Sequence, residues 1–173
     1  MAFKKPGEIA RAAVTAGRSK PLETPDKLLL FGFLAGSYIA FGGLLAVAIG
    51  GGINAELLGI GFKNLIFAGV FPVGLMLVVI GGSELFIGNC LLPPIAWLED
   101  HADTKDVLKN WGWVYLGNFI GSVVIAYFLA TATGLLAADP WHSYIIEIAE
   151  KKANSGGATY IGWMSLFWRA VGG

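Results

Sequence analysis

Residues 81–89 of the chain read GGSELFIGN, and they interrupt a long apolar stretch whose only charged residue is Glu84. Paired glycines weaken a helix at this point, and the glutamate places a carboxylate deep in the stretch. Backbone amides left open in hydrocarbon cost several kcal/mol each, so such a break must be buried in protein or face a water-filled cavity. The sequence therefore predicts a membrane span over about 64–83 that breaks and resumes as a half-helix over 88–98.

The break predicts a polar region near the middle of the membrane. Glu84 is expected to accept hydrogen bonds from the amides that the break frees. The half-helix would direct its N-terminal amides and the positive end of its dipole to the same region, which favours an anion. Asn89 would either supply an amide to a ligand or cap the half-helix. The alternative to a functional site is a simple helix kink, with Glu84 bonded to a neighbouring group.

Composition indicates that the surroundings of the chain are lipid. Of its 173 residues 55% are apolar and 14% are charged, which is too apolar for a soluble domain of this size. Uncharged runs predict further spans at about 28–50 and 110–136, and a fourth begins near residue 160. Twelve acidic residues balance twelve basic ones, so no basic field suggests nucleic acid. The lone Cys90 gives neither a disulfide framework nor a metal-ligand spacing, and we expect no metal or other cofactor.

The distribution of positive charge predicts the orientation of the spans. Of the twelve Lys and Arg residues, six precede the first span and two more lie in the loop around 99–109. Because cytoplasmic loops carry an excess of Lys and Arg, the segment 1–27 and the loop 99–109 are predicted to be cytoplasmic. The connection after each odd-numbered span then faces outward. The segment 1–27 is predicted to carry a short amphipathic helix on the inner surface of the cell membrane, with a solvated basic tail as the alternative.

Several short motifs resemble a known family. They are FPVGL at 71–75, GSELF at 82–86, GN at 88–89, NW at 110–111, YLGN at 115–118 and GS at 121–122. The stretch PGEI at 6–9, followed by Gly17 and Lys20, agrees with them. Together these residues resemble the formate/nitrite transporter family, which also includes hydrosulfide channels, and the resemblance covers the whole chain.

The resemblance implies an all-α integral membrane protein with an aquaporin-like fold of six spans in two inverted halves. It also implies a homopentamer with one pore per protomer. Members pass formate, nitrite or hydrosulfide, with or without a proton, so we expect a channel or transporter and not an enzyme. Residues 28–173 would cover about the first three and a half spans of this channel domain. This part alone is predicted to conduct nothing.

The resemblance further implies a substrate pathway. The residues assigned to it by position are Phe71, Leu75, Glu84, Leu85, Phe86, Ile87, Asn89 and Lys152. Leu75 and Leu85 match apolar residues that narrow the pore of the family, and Phe71 matches a neighbouring aromatic residue. Bare apolar constrictions exclude hydrated ions, so a weak-acid anion would cross more easily if it were protonated on the way. Lys152 resembles a lysine that attracts anions to the outer vestibule, and its alternative is a solvated loop lysine.

The chain departs from the pattern of the family in two places. The family usually has threonine where this chain has Ile87, so a hydroxyl that would bond the substrate is absent. The pore histidine of the family belongs to the fifth span, which the chain does not reach. His101 and His142 lie in predicted connecting segments and are not assigned that role.

Three other functions are weighed against an anion channel. An aquaporin-like channel for small neutral solutes would carry an Asn-Pro-Ala signature, which the chain lacks. A membrane subunit of a redox complex would need paired histidines or cysteines inside spans, and the first three predicted spans contain no histidine. A scaffold without a pore needs no motif, but it leaves Glu84 and the break unexplained.

Overall fold

The computed structural model describes residues 3–153 together with residues 162, 164 and 165. The part of the chain between residues 3 and 153 is helical and contains no strand. Its α-helices are α1 (Pro6–Ser19), α2 (Pro25–Gly51), α3 (Ala55–Leu58), α4 (Ile60–Val70), α5 (Pro72–Ile80), α6 (Phe86–Asn89), α7 (Leu92–Leu98), α8 (Thr104–Ile125) and α9 (Trp141–Ala153). A 3-10 turn over Lys20–Leu22 follows α1, and a π-helix over Ala126–Ala132 continues α8.

Three helical units are long and apolar enough to cross a membrane. They are α2, the joined pair α4 and α5 over Ile60–Ile80, and α8 with its π-helix over Thr104–Ala132. The 27 residues of α2 reach about 40 Å, which exceeds the roughly 30 Å thickness of the hydrocarbon core. These units lie where the sequence predicts its three spans, with ends displaced by one to six residues. The fourth span, predicted from residue 160 onward, lies outside the described residues except for 162, 164 and 165.

Glycines bring α2 and α8 into backbone contact. A Cβ atom at Gly36 would collide with the backbone of Asn118, and one at Gly121 would collide with the backbone of Phe33. The hydroxyl of Ser37 on α2 also lies 3.5 Å from the carbonyl oxygen of Gly121 on α8. In lipid no hydrophobic force drives helices together, so the association of α2 and α8 depends on this close packing. The same contact places α8 beside the break.

This packing predicts a sharp difference between two glycines of α8. Gly121→Ala is expected to lower the free energy of unfolding by about 1–3 kcal/mol, because its new methyl group must displace the backbone of α2. Gly112→Ala is the control, since nothing lies within 4 Å of the corresponding position and alanine favours a helix. Thermal unfolding in detergent measures both variants. Equal midpoints would show that the two helices do not touch at Gly121.

The second span ends at Ile80, and the chain after it is irregular until α6 begins. Gly82 has a φ of +61°, which a residue with a side chain rarely adopts. The half-helix predicted over 88–98 corresponds to the short apolar helical segment Phe86–Leu98, which is divided into α6 with four residues and α7 with seven. Pro93 lies in the first turn of α7, where a missing amide hydrogen is tolerated, and it cannot continue a helix from before. The expectation of a half-helix dipole at residue 88 is therefore corrected, because a four-residue helix has little macrodipole.

The helix α1 packs against α7, the second helix of this broken segment. It begins after Lys5, whose backbone amide donates to the carboxylate of Glu8 at 2.8 Å. Gly17 is buried, and a Cβ there would collide with the backbone of Leu92 in α7. The sequence predicts a short helix in this segment, and its contact with the membrane surface stays a prediction. The consequence of this packing is that Lys20, just after α1, reaches the break.

Candidate functional site

The backbone of the break is held by one asparagine of the third span. Asn118 accepts a hydrogen bond from the amide of Phe86 at 2.9 Å and donates to the carbonyls of Glu84 and Gly32, each at 2.9 Å. The amide of Glu84 donates to the carbonyl of Phe31 at 3.2 Å. These bonds satisfy the polar groups at the start of α6 and tie them to both α2 and α8. Irregular backbone at this depth is tolerated because protein, and not lipid, supplies its partners.

The carboxylate of Glu84 has different partners from those that the sequence predicts. Lys20 donates from Nζ to both carboxylate oxygens at 2.6 Å, and Asn89 donates from Nδ2 to Oε2 at 2.8 Å. The expectation that Glu84 accepts the freed backbone amides is wrong, since Asn118 and the carbonyl of Phe31 bond them. The two charged side chains are 20% and 16% exposed, so the pair is shielded from most solvent.

A closed polar ring (Lys20, Glu84, Asn89 and Asn110) surrounds this ion pair. Asn89 also donates from Nδ2 to Oδ1 of Asn110 at 2.9 Å, and Asn110 donates in turn to the carbonyl of Lys20 at 2.9 Å. Asn89 is 1% exposed and Asn110 is fully buried. Both amide hydrogens of Asn89 are used within the ring, and α7 begins without a side-chain cap, so the predicted capping role is not seen.

Of the apolar side chains after Glu84, Leu85 and Phe86 are half-buried and Ile87 is exposed. Phe86 packs edge to face against Trp111 and Tyr115, with ring centroids 6.4 and 5.4 Å away. Leu85 and Phe86 border a cavity of about 230 Å³, which Tyr115 and Asn118 also line. Ile87 is 75% exposed. The break thus fixes its backbone and leaves apolar groups at its surface.

Phe71 and Leu75 lie on the second span, before the break. Phe71 ends α4 at the point where Pro72 starts α5, and its ring stacks on that of Phe67 with centroids 6.4 Å apart. Phe71 is 39% exposed and Leu75 is 47% exposed. Their spacing of four residues puts both on one helix face, although neither lines the cavity beside Leu85 and Phe86.

Lys152 lies on α9, at the opposite end of the spans from Lys20. The helix is anchored by Trp141, which donates from Nε1 to the carbonyl of Ala48 at 2.8 Å. The adjacent Lys151 pairs with Glu147, one turn earlier, and the hydrogen bond and charge of that lysine lower the pKa of the Glu147 carboxyl. The structure therefore places Lys152 in a cationic helix end at the outer side of the predicted topology.

The two histidines lie outside the spans, in agreement with the sequence. His101 follows α7 in a loop, and His142 lies in the first turn of α9. Within residues 3–153, no group of three histidine, cysteine or acidic side chains could hold a metal ion.

Comparison with known proteins assigns the family. The family model described as formate/nitrite transporter matches residues 7–173. The chain belongs to the formate/nitrite transporter family. It is 44% identical over 98% of its length to a probable formate transporter of Methanothermobacter thermautotrophicus, covering 65% of that protein. It is 37% identical over 97% of its length to the formate channel BtFdhC of Bacillus thuringiensis, covering 64% of it. The chain thus spans less than two thirds of the length of these relatives, which are named as transporters and channels.

Sequence reasoning missed three parts of the site. It quoted Lys20, Asn110 and Asn118 as signs of resemblance but gave none of them a structural role. An asparagine inside an apolar span is itself a signal, because its amide must find partners in the absence of water. Asn118, in the middle of the third span, carries that signal. Lys20 carries none, since it belongs to a polar segment 64 residues before its partner.

Proposed function

We propose that the complete protein is a channel for small monovalent anions, namely formate, nitrite or hydrosulfide, and that residues 71–89 supply part of its pathway. The observation that carries the proposal is the break itself. Its backbone is fixed by Asn118 and the carboxylate of Glu84 by Lys20, while Leu85 stays half-buried and Ile87 is exposed. A lipid-facing span has no need of such a structure.

The apolar side chains would act as the constriction. Leu75 and Phe71 on the second span and Leu85 after the break offer no polar group to replace the water around an ion. Moving a bare anion past them is costly, whereas a protonated weak acid carries no charge and crosses more easily. Passage of the acid form, or of the anion together with a proton, follows from this energetic argument.

Glu84 would position the loop and not bind the substrate. An uncompensated carboxylate near the pathway would repel an anion strongly, because charges interact over longer distances in a medium of low dielectric constant. The ammonium of Lys20 cancels that charge at hydrogen-bonding distance. Asn89 belongs to the same ring, and we place it with Glu84 as a support of the loop.

The proposal extends to the assembly and its location. We propose six spans in two inverted halves, a homopentamer with one pore per protomer, and insertion in the cell membrane with the N-terminus in the cytoplasm. The count of positive residues before the first span supports the orientation. Family membership supports the remaining features.

Flux measurements on liposomes test the proposal. The complete protein is reconstituted, and entry of formate, nitrite and hydrosulfide is followed beside liposomes without protein. We expect faster entry of at least one of these anions with the protein present. The 173-residue chain alone is expected to give only the background leak. Equal leak for all three anions with and without the complete protein would sink the proposal.

Ile87 gives a specific prediction for the pathway. Ile87→Thr adds a hydroxyl at an exposed position, and a hydrogen bond worth about 0.5–1.5 kcal/mol to the crossing anion would raise formate flux about two- to tenfold. Ile87→Val is the matched control, because valine has the shape of threonine without the hydroxyl. The measurement is the initial rate of formate uptake. The same rate in both variants would show that no hydroxyl at this position contacts the substrate.

A further inference from the structure

The outer ends of the first two spans hold α9 through an aromatic cluster. Tyr144 packs edge to face against Phe67 of α4, with ring centroids 6.4 Å apart. The ammonium of Lys63, also on α4, lies 3.9 Å from the centre of the Tyr144 ring. Glycines of α2 leave room for the cluster, since a Cβ at Gly51 would come within 2.7 Å of the Trp141 ring. Two spans and α9 therefore meet at one end of the molecule.

We infer that Lys63 and Tyr144 are positioning residues, which clamp α9 so that its cationic end lies at the outer mouth of the pathway. The inference rests on the proposed function, because it concerns how the mouth attracts an anion. Lys152 lies eight residues after Tyr144, or about 12 Å along the helix. A clamp at one end of a helix this short determines where its other end lies.

The charges around the clamp agree with this arrangement. Burial raises the pKa of Tyr144, and the charge of Glu147 raises it further. The phenol of Tyr144 therefore stays neutral beneath the ammonium of Lys63. Lys151 and then Lys63 lower the pKa of Glu147, which keeps that carboxylate ionised. Glu56 and Asp139 also lie at this end, so with Glu147 and Glu150 the acids outnumber lysines 63, 151 and 152 by one. The positive charge is therefore local to Lys151 and Lys152 in the last turn of α9, and its reach is limited to about 10 Å at moderate salt.

Four variants of the complete protein separate the clamp from the charge. Tyr144→Leu removes the aromatic face and keeps the ammonium of Lys63, whereas Tyr144→Phe keeps the face and is the matched control. Lys63→Met removes the cation and keeps most of the side-chain length, and Lys63→Arg is its control, since arginine also binds aromatic faces. The readouts are the KM and kcat of formate uptake at several salt concentrations.

We expect Tyr144→Leu and Lys63→Met to raise KM about three- to tenfold at low salt with kcat unchanged. The two controls should behave like the original protein. The difference in KM should shrink at high salt, because screening removes the attraction that the clamp organises. A purely structural defect would lower the amount of active protein, and hence kcat, without changing this salt dependence.

Two outcomes of the flux measurements would contradict the inference that Lys63 and Tyr144 position α9. If Tyr144→Leu leaves KM unchanged while Lys63→Met raises it, the charge of Lys63 attracts the anion directly and does not act through the position of α9. If neither variant changes KM, the contact has no role in attraction. If the original protein shows no flux of any of the three anions, the proposed function fails. The positioning of α9 by Lys63 and Tyr144 is then tested only by the distance between α3 and α9.

The distance measurement does not need transport. Spin labels are attached at Leu57→Cys and Ala149→Cys in a Cys90→Ser background, because Leu57 and Ala149 are both exposed. Electron paramagnetic resonance then gives the distribution of distances between α3 and α9. We expect a narrow distribution that Tyr144→Leu broadens and Tyr144→Phe leaves unchanged. Equal widths in all three proteins would overturn the clamp whether or not the protein transports anions.

Discussion

Replacing Asn118 by leucine is expected to reduce formate flux to the background leak. Leucine has the branched shape of asparagine but carries methyl groups in place of its donor and its acceptor, so the amide of Phe86 and the carbonyl of Glu84 lose their partner. Each buried polar group left without a hydrogen bond costs about 1–3 kcal/mol, which gives roughly 2–6 kcal/mol for the two. The native arrangement of the break cannot survive a loss of that size, because nothing else bonds these groups.

Asn118→Asp refines this prediction and keeps it testable if the leucine variant fails to fold. Aspartate still accepts from the amide of Phe86, and its neutral form, which burial favours, can donate to one of the two carbonyls. Its thermal midpoint should therefore lie between those of the original protein and Asn118→Leu. Asn64→Leu is the control, since this asparagine is exposed on α4, and its flux and midpoint should be nearly unchanged. A leucine at 118 that transports normally would show that the break is held by something else.

Local patterns in the sequence were enough to locate the three long apolar helical units and the break. Charge-free runs predict three spans, and three apolar helical units lie there. Paired glycines followed by a glutamate predict the break, and the chain is irregular between Ile80 and Phe86. These features depend on neighbouring residues alone, because helix formation and membrane insertion respond to local propensity and apolarity.

The partners of the break could not be found in the same way. Glu84 meets a lysine 64 residues earlier, and its carbonyl meets Asn118, 34 residues later. Such pairs depend on how the helices pack, and here that packing depends on glycines that let α2 and α8 approach each other. The split between α6 and α7 is a different case. Pro93 and Pro94 were visible in the sequence, and a proline pair is a local signal that the prediction of one half-helix overlooked.

Breaking the ion pair between Lys20 and Glu84 is the second change for which we expect a large loss of stability and flux. Lys20→Met or Glu84→Gln alone leaves one charge in a poorly solvated site. Removing one member of a fully buried pair costs about 3–5 kcal/mol, and the remaining exposure of 20% and 16% reduces our expectation to about 2–3 kcal/mol. Either single variant should lower the thermal midpoint and formate flux together, because the ring positions the loop after Glu84.

The double variant Lys20→Met with Glu84→Gln separates the charge from the ring. It leaves no unpaired charge, and the glutamine oxygen can still accept from Asn89. We expect it to be more stable than the sum of the two single changes implies, with a coupling of about 1–3 kcal/mol. The exposed ion pair between Lys27 and Glu23 has a similar separation of 2.7 Å, and its two residues lie one turn apart where α2 begins. The corresponding cycle there should give about 0.5 kcal/mol or less.

The comparison of the two cycles decides what the buried pair does. If both couplings are equally small, Lys20 and Glu84 are only neighbours, and the ring does not depend on their charges. If the double variant regains stability but not flux, the charges themselves are needed for transport and Glu84 does more than support the loop. Recovery of both is the result that our assignment requires, since a support needs the geometry of the ring and tolerates a neutral pair that keeps it.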